Sequence, residues 1–199
     1  MPPPRTDEQS APNPAADPAV DVPDVVGPGL RVLFCGINPG TVSGRLGQHF
    51  ARAGNRFWKA LHGSGFTDRL LAPSDQWTLL EYGIGITNLV DRTSRAAAEV
   101  TPAELRAGAV QLAEKADRWK PDWVAVLGVQ AYRTAFRRPQ AAIGRQPDGL
   151  ADTGLWLLPN PSGLQARYQL PEMISLFSEL RVTAFPPVRG SSRTPPPPN

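Results

Sequence analysis

Two short motifs in this chain of 199 residues pair an asparagine with a proline and place a glycine within the next two residues. The first is Gly36-Ile37-Asn38-Pro39-Gly40, the second is Asn160-Pro161-Ser162-Gly163-Leu164, and each follows an apolar run. An asparagine amide can hold a water molecule by its carbonyl oxygen, but it cannot take a proton at neutral pH. The motifs therefore indicate a site that positions groups by hydrogen bonds, although Asn-Pro turns are also common after strands.

The apolar runs belong to a regular alternation of strand and helix patterns. Short runs that are almost entirely apolar are typical of strands buried on both faces. Strands are expected at 31–37, 83–90, 122–128 and 155–159. Helices are expected at 55–65, 75–80, 101–120, 129–136 and 170–181, the third beginning with the capping box Thr101-Pro102-Ala103-Glu104. The alternation predicts an α/β fold with a parallel sheet covered by helices on both faces.

In open parallel sheets, ligands bind beyond the carboxyl ends of the strands. This rule places both asparagine motifs at one edge of the sheet, together with Asp91, which follows the second expected strand. A carboxylate at that place could assist a water molecule or stabilise a cation. The alternative is an ion pair with Arg92 or Arg56 that orders the loop.

The two ends of the chain differ in composition from its middle. Residues 1–28 hold 8 of the 23 prolines and five acidic residues against one arginine, and residues 186–199 hold 6 more prolines. Such segments bury too little apolar surface to offset the entropy of ordering. We therefore expect disordered tails at 1–28 and 186–199, and a single domain at 29–185 with a net charge of +5.

Composition also excludes several classes of protein. No apolar run approaches the ~18 residues that a membrane span requires. The beginning of the chain has no apolar signal segment, so we expect a cytoplasmic location. Cys35 is the single cysteine, and His49 and His62 have no nearby ligand pattern. Neither a disulfide nor a metal site is expected.

Five segments carry a resemblance to a known family, at 33–40, 53–59, 65–69, 89–92 and 157–164. Together they resemble the mismatch-specific uracil-DNA glycosylases, bacterial relatives of thymine-DNA glycosylase, over about residues 30–182. The resemblance implies a three-layer α/β/α sandwich with a central, mostly parallel sheet of four to five strands. It also implies hydrolysis of the bond between a flipped uracil and its deoxyribose, which leaves an abasic site.

The same resemblance assigns roles to residues. Asn38 would position the attacking water, Phe50 would stack on the extruded base, and Leu164 would fill the gap in the duplex beside Gly163. The residues expected to bind the base are Gly36, Ile37, Phe50 and Asn160. Those expected to contact DNA phosphates are Arg56, Lys59, Ser162 and Arg167.

The chain departs from the family pattern at three positions. Asn160 stands where classical uracil-DNA glycosylases carry histidine, and Asn88 stands where a lysine is expected in the nearest relatives. Arg167 is displaced by one position from the arginine that would follow the second motif. The loss of a strong electrophile at Asn160 predicts a slower and less selective enzyme.

The expected partner is double-stranded DNA that contains uracil or a mispair, bound by a monomer without a cofactor or metal. No lysine can be named as a Schiff-base nucleophile, so strand cleavage is not expected. The alternative is a module with this fold that binds mispairs and catalyses little. A Rossmann-like nucleotide enzyme is disfavoured because the chain lacks both GxGxxG and GxxxxGK[ST].

Overall fold

The computed structural model of the protein describes residues 22–150, 152–164 and 166–186. Most of both expected tails therefore lies outside the described residues. The packed part of the chain begins before the boundary expected at residue 29. Val25 is fully buried, and its backbone exchanges two hydrogen bonds with Ile86 at 2.8 and 2.9 Å. The sequence did not predict that Val25 belongs to the core, because the pair Val25-Val26 is short and lies in a segment rich in proline.

The centre of the fold is a five-stranded sheet in the order β2-β1-β3-β5-β4. Four strands are parallel, and the short β4 pairs antiparallel with β5 at the edge. The strands are β1 (Val32–Gly36), β2 (Ile84–Asn88), β3 (Trp123–Leu127), β4 (Gly144–Arg145) and β5 (Gly154–Leu158). The expected α/β fold with a mostly parallel sheet is confirmed.

Five α-helices and a long 3₁₀ helix at Pro73–Tyr82 accompany the sheet. The α-helices are α1 (Thr41–Leu46), α2 (Phe57–Gly63), α3 (Pro102–Trp119), α4 (Val129–Ala135) and α5 (Leu170–Ala184). At the start of α3 the expected capping box is present, because Thr101 Oγ1 accepts from Glu104 N and Glu104 Oε2 accepts from Thr101 N. Within the described residues, no helix is long and apolar enough to cross a bilayer.

Two apolar clusters, one on each face of the sheet, make the fold three-layered. On one face Phe34 meets Phe57 of α2 and Phe177 of α5, with ring centroids 5.4 and 5.6 Å apart. On the other face Leu33 and its neighbours pack with Leu112 of α3 and with α4. Because both faces are covered, the strands are buried almost throughout, which explains their nearly continuous apolar sequence.

Besides a 3₁₀ turn at Ala97–Glu99, two elements were not expected from the sequence. The segment after the first motif, interpreted as a polar loop from Thr41, forms the short helix α1 and ends at Gly47 with φ 63°. The loop expected between α4 and β5 contains the two residues of β4. Both elements are too short for a hydrophobic period to show.

Candidate active site

A cleft of about 460 Å³ opens at the carboxyl ends of β1 and β5. Its walls come from the loops after β1 and β5, from residues around Phe50 and from residues 94–97. Of the residues predicted from the sequence, it is lined by Gly36, Ile37, Asn38, Phe50, Asn160, Ser162 and Leu164. The rule that ligands bind beyond the strand ends thus brings the two asparagine motifs to one cavity.

The side chain of Asn38 is held in one orientation by three acceptors. Its Nδ2 lies 2.8 Å from Ser94 Oγ, 3.2 Å from the Arg92 carbonyl oxygen and 3.1 Å from the Pro39 carbonyl oxygen. Carbonyl oxygens can only accept, so the amide NH₂ must face them. The Oδ1 atom forms no hydrogen bond within the described residues and is the group of Asn38 that is free to accept one from a water molecule.

Ser94 was not found by sequence reasoning, and it fixes this orientation. Its hydroxyl donates to the carbonyl oxygen of Ala96 at 2.7 Å, so its lone pairs must accept from Asn38 Nδ2. Its own N–H donates to the Pro39 carbonyl oxygen at 3.1 Å. A serine 56 residues away from Asn38 in sequence carries no local signal of this role.

Asn160 is oriented the opposite way. Its Oδ1 accepts from the backbone N–H of Ser162 at 3.0 Å, which forms an Asx turn in the loop after β5. The Nδ2 of Asn160 donates to no group within the described residues, and the residue lines the cleft. Asn160 therefore offers hydrogen-bond donors to the cavity, whereas Asn38 offers an acceptor.

Phe50 forms an aromatic wall of the cleft, and its backbone has a conformation that is rare for residues other than glycine. Its φ is 54°, and its ring stacks on Phe57 with centroids 4.1 Å apart. The ring also covers Gly36, where a Cβ atom would lie 3.4 Å from Phe50 Cζ and 2.4 Å from Asn88 Oδ1. Gly36 is therefore required for the close approach of the backbone to both side chains.

The strained backbone at Phe50 is held by polar contacts of the preceding residue. The N–H of His49 donates to Gln76 Oε1 at 2.8 Å, and its carbonyl oxygen accepts from Trp58 Nε1 at 3.3 Å. His49 Nε2 lies 3.0 Å from the Pro23 carbonyl oxygen, and Asn88 Nδ2 lies 3.4 Å from His49 Nδ1. Burial lowers the pKa of His49, which keeps the ring neutral in this environment.

Gly163 and Leu164 form the outer lip of the cleft. A Cβ atom at Gly163 would lie 2.7 Å from the Gly54 carbonyl oxygen, so the glycine lets two loops touch. Leu164 lines the cleft and is 72% exposed. An apolar side chain this exposed beside a cavity is available to contact a bound ligand.

Asp91 does not line the cleft. Its side chain is 66% exposed, and its Oδ1 lies 3.7 Å from Lys115 Nζ. Lys115 also pairs with Asp24 at 2.8 Å and donates to Thr87 Oγ1. The structure therefore does not bring Asp91 together with Asn38, and its ion-pair partner is Lys115 rather than the expected Arg92 or Arg56.

Of the four residues expected to contact phosphates, Ser162 lines the cleft and the other three have different positions. Arg56 is half-buried and donates to the carbonyl oxygens of Tyr168 and Ser162, so it holds the loop after β5 in place. Arg167 lies over the ring of Tyr168 at 5.4 Å, beside a second cavity that shares Asn160 with the cleft. Lys59 is exposed. Sequence reasoning could not foresee that the guanidinium of Arg56 is committed to backbone carbonyls.

Two arginines at the rim of the cleft were not among the predicted site residues. Arg52 and Arg95 both line the cavity. No aspartate, glutamate or histidine is among its lining residues in the described part of the chain. The cleft therefore combines positive charge at its rim with amide groups at its base, which suits an anionic ligand.

The fold and this site define a class: a three-layer α/β/α protein with two asparagine loops at the carboxyl edge of its sheet. Residues 23–181 match the family model of the Uracil DNA glycosylase superfamily, and the chain belongs to that superfamily. Its fold is similar to that of a candidate uracil DNA glycosylase from Methanosarcina acetivorans, solved by solution NMR. The two share 19% identity with a TM-score of 0.54, over 82% of this chain and 98% of that chain.

Proposed function

We propose that this protein is a monofunctional, mismatch-specific uracil-DNA glycosylase that acts as a monomer without a cofactor. Membership of the superfamily supports DNA glycosylase activity. The observation that carries the proposal is the opposed orientation of the two cleft asparagines. Asn38 offers an acceptor for a water molecule, and Asn160 offers donors for an oxygen of the departing base.

The reaction we propose proceeds by charge separation. The glycosidic bond breaks with its electron pair going to the uracil nitrogen, which leaves a uracil anion and a sugar cation. A water molecule held by Asn38 Oδ1 adds to the sugar carbon, and its proton passes to the solvent or to the uracil anion. Because no described lining residue is an acid or a histidine that could take the proton first, catalysis in this proposal depends on placing the water and on donors where the anion develops.

Access of the base to the cleft requires that it leave the duplex. We propose that the extruded uracil stacks on Phe50, in the space over Gly36 and Ile37. Leu164, exposed at the lip, would fill the vacancy left in the helix. The preference for mispaired uracil is proposed because a mispaired base costs less to extrude from the duplex.

Asp91 has no part in the proposed reaction, because its carboxylate lies outside the cleft and faces Lys115. In place of the catalytic role expected from the sequence, we propose a structural role for Asp91 in the loop after β2. Catalysis in this proposal rests on Asn38.

A second candidate function is supported by the same cleft. A module that binds mispairs with little catalysis would also need an aromatic wall, an exposed leucine and a positive rim. This candidate is favoured by the lack of an Asp, Glu or His among the described lining residues, because a cleft without a general base can bind a base without hydrolysing its glycosidic bond.

The deciding experiment is incubation with duplexes that carry U·G, U·A or T·G, followed by alkali to cleave abasic sites. We expect release of uracil from U·G, strand breaks only after alkali, and equal activity with EDTA. A mock preparation from cells that do not express the protein serves as the control for contaminating activity. Binding of the U·G duplex without base release by the wild type would support the binding module instead.

A further inference from the structure

The segment Pro23–Val26, which we call the N-terminal strap, extends the sheet beside its outermost strand β2. Val25 of the strap pairs with Ile86 in the antiparallel direction, through two backbone hydrogen bonds. Because the strap runs opposite to β2, its first residues lie at the carboxyl ends of the strands, where the cleft opens. The strap therefore brings Pro23 to the edge of the sheet that holds the candidate active site.

A partly buried ion pair anchors the strap. Asp24 Oδ2 lies 2.8 Å from Lys115 Nζ of α3, and Asp24 Oδ1 accepts from Thr87 Oγ1 of β2 at 2.6 Å. The charged side chains are 22% and 24% exposed, so salt screens this pair less than it screens pairs on the open surface. The backbone of the strap is thus fixed against both a strand and a helix.

The strap contacts the side chain of His49, which is buried. His49 Nε2 lies 3.0 Å from the Pro23 carbonyl oxygen, and a carbonyl oxygen can only accept, so Nε2 carries the proton of the neutral ring. The Nδ1 atom is then an acceptor, and it lies 3.4 Å from the donor Asn88 Nδ2. These two contacts select one neutral tautomer of His49.

Phe50 follows His49 directly, and its φ of 54° is strained for a phenylalanine. We propose that His49 is a positioning residue of the cleft, whose neutral ring, held between the strap and β2, keeps Phe50 in this conformation. His49 is not among the described lining residues of the cleft, so it acts through Phe50. The inference rests on the proposed function, because stacking of the extruded base on Phe50 is what makes this position matter.

Protonation of His49 breaks this arrangement. The protonated ring carries a second N–H at Nδ1, which faces the donor Nδ2 of Asn88. The ring must then leave its contact or the Asn88 amide must turn. Either change releases the residue that precedes Phe50, so the aromatic wall of the cleft is held less firmly.

The surroundings of His49 disfavour that protonation. Burial lowers the pKa of His49 below its ordinary value of about 6.5. The nearby charges act in opposite directions, since Asp24 of the strap raises the pKa and Lys115 of α3 lowers it. On the other elements packed against the residue, its polar partners are the neutral side chains of Asn88, Gln76 and Trp58.

The lowered pKa fixes the direction of the pH dependence. The neutral ring and its contacts are intact above about pH 6.5, and they are lost as the pH falls through the lowered pKa of the folded protein. The described lining residues of the cleft include no acid or histidine that could itself titrate in this range. Excision by the wild type should therefore fall between about pH 6.5 and pH 5, and the fall should belong to His49.

Long-range ¹H–¹⁵N NMR spectra of the full chain, labelled with ¹⁵N-histidine, test the tautomer without DNA. The chain has two histidines, and the second is an internal comparison, because His62 Nδ1 lies 3.2 Å from the Thr67 carbonyl oxygen. At neutral pH we expect opposite tautomers, with the proton on Nε2 in His49 and on Nδ1 in His62. The Nδ1–H tautomer at His49, or a mixture of both, would overturn the proposal.

Two substitutions separate the hydrogen bonds of His49 from its packing, in single-turnover excision from a U·G duplex. His49→Leu fills the space but makes neither hydrogen bond, and it should lower the rate about tenfold. His49→Gln keeps a donor for the Pro23 carbonyl oxygen and cannot take a proton. It should keep most of the rate at neutral pH and lose the fall toward pH 5. The control His62→Gln should match the wild type at each pH.

Equal losses in His49→Leu and His49→Gln would show that the shape of the ring matters and not its hydrogen bonds, and would overturn the proposal. A wild-type rate that stays level between about pH 8 and pH 5 would also overturn it. If His49→Leu does not fold, the wild-type spectra and His49→Gln decide the question.

A binding measurement separates this inference from the proposed function. The probe is a duplex with 2′-deoxypseudouridine opposite guanine, whose glycosidic C–C bond resists hydrolysis, and the comparison is a duplex with an abasic-site analogue. His49→Leu should bind the first about five- to tenfold more weakly than the wild type does, because stacking on Phe50 is impaired, and the second equally well. That result without uracil release by the wild type would leave the positioning role standing and refute the glycosylase proposal. Uracil release by the wild type with unchanged binding of both duplexes by His49→Leu would do the opposite.

Discussion

The two asparagine loops have the same dipeptide after a strand at the same edge of the sheet, but they present opposite ends of the amide. In the loop after β1, Ser94 and the Arg92 carbonyl oxygen hold the NH₂ of Asn38, and the carbonyl oxygen is left for the cavity. In the loop after β5, the backbone N–H of Ser162 holds the carbonyl oxygen of Asn160. The polarity of each asparagine is thus decided by its partners and not by its own type.

This difference teaches that a hydrolytic site can be divided between two neutral groups. A water molecule needs an acceptor, and a departing anion needs a donor. One residue type meets both needs because the loops turn it in opposite directions. Substitutions that remove or reverse one amide should therefore have effects that the other loop does not share.

The largest effect is expected from Asn38→Ala, which removes the acceptor for the water. Single-turnover excision from a U·G duplex should fall about 10²-fold or more, the scale for loss of a positioned polar group. Binding of the duplex should change little, because the amide of Asn38 is uncharged and is held by contacts within its own loop region. Near-native excision would show that Asn38 is only a turn residue.

A smaller loss is expected from Asn160→Asp, about 10- to 10²-fold by the same reasoning about a single donor. An aspartate can still accept from the Ser162 N–H, so the loop should keep its shape, but it places negative charge where the donor stood. Single-turnover rates at pH 7 provide the measurement. The control is the melting temperature, which should stay close to that of the wild type.

Ser94→Ala should lower excision by about tenfold, because Asn38 loses the shortest of its three hydrogen bonds and its amide is held less firmly. The fall should appear in the maximal single-turnover rate, with little change in the concentration of enzyme that gives half of it. Ser94→Thr keeps the hydroxyl and should recover most of the rate. If both variants lose equally, Ser94 acts through packing rather than through its hydroxyl.

The sequence predicted four of the five described strands, four of the α-helices and the common edge of the two motifs, because these follow from local patterns and from the rule for parallel sheets. It could not predict the orientation of either amide. That of Asn38 depends on Ser94, which is 56 residues away. The contacts that hold Phe50 in a left-handed backbone conformation are also long-range, through Gln76.

The same limit applies to Asp91 and Arg56, whose contacts the sequence did not predict. Asp91 lies three residues beyond the end of β2, where the strand no longer fixes the direction of a side chain. Arg56 precedes α2 and turns toward carbonyl oxygens of a loop more than 100 residues later in the sequence. Charge alone did not reveal either partner.

Leu164→Ala should have a graded effect, because it leaves both asparagines in place and removes the side chain proposed to fill the vacancy. Opening a base pair costs a few kcal/mol, and an inserted side chain offsets part of it. Excision should fall most for U·A, less for U·G and least for single-stranded uracil. A uniform loss on all three substrates would mean that Leu164 supports the fold, and no loss would mean that it is a solvated loop tip.

The smallest effect on catalysis is expected from Asp91→Asn, and it tests whether the site rests on the two loops alone. The carboxylate is largely exposed and its contact with Lys115 is 3.7 Å long, whereas Lys115 keeps a closer partner in Asp24. An exposed pair of this kind contributes about 0–1 kcal/mol to stability. Excision should therefore stay within about twofold of the wild type, and the melting temperature should fall only slightly. Single-turnover rates and thermal unfolding measured on the same preparation separate the two effects. A loss of excision as large as that of Asn38→Ala would show that the carboxylate takes part in the reaction, and the mechanism that rests on two neutral amides would be wrong.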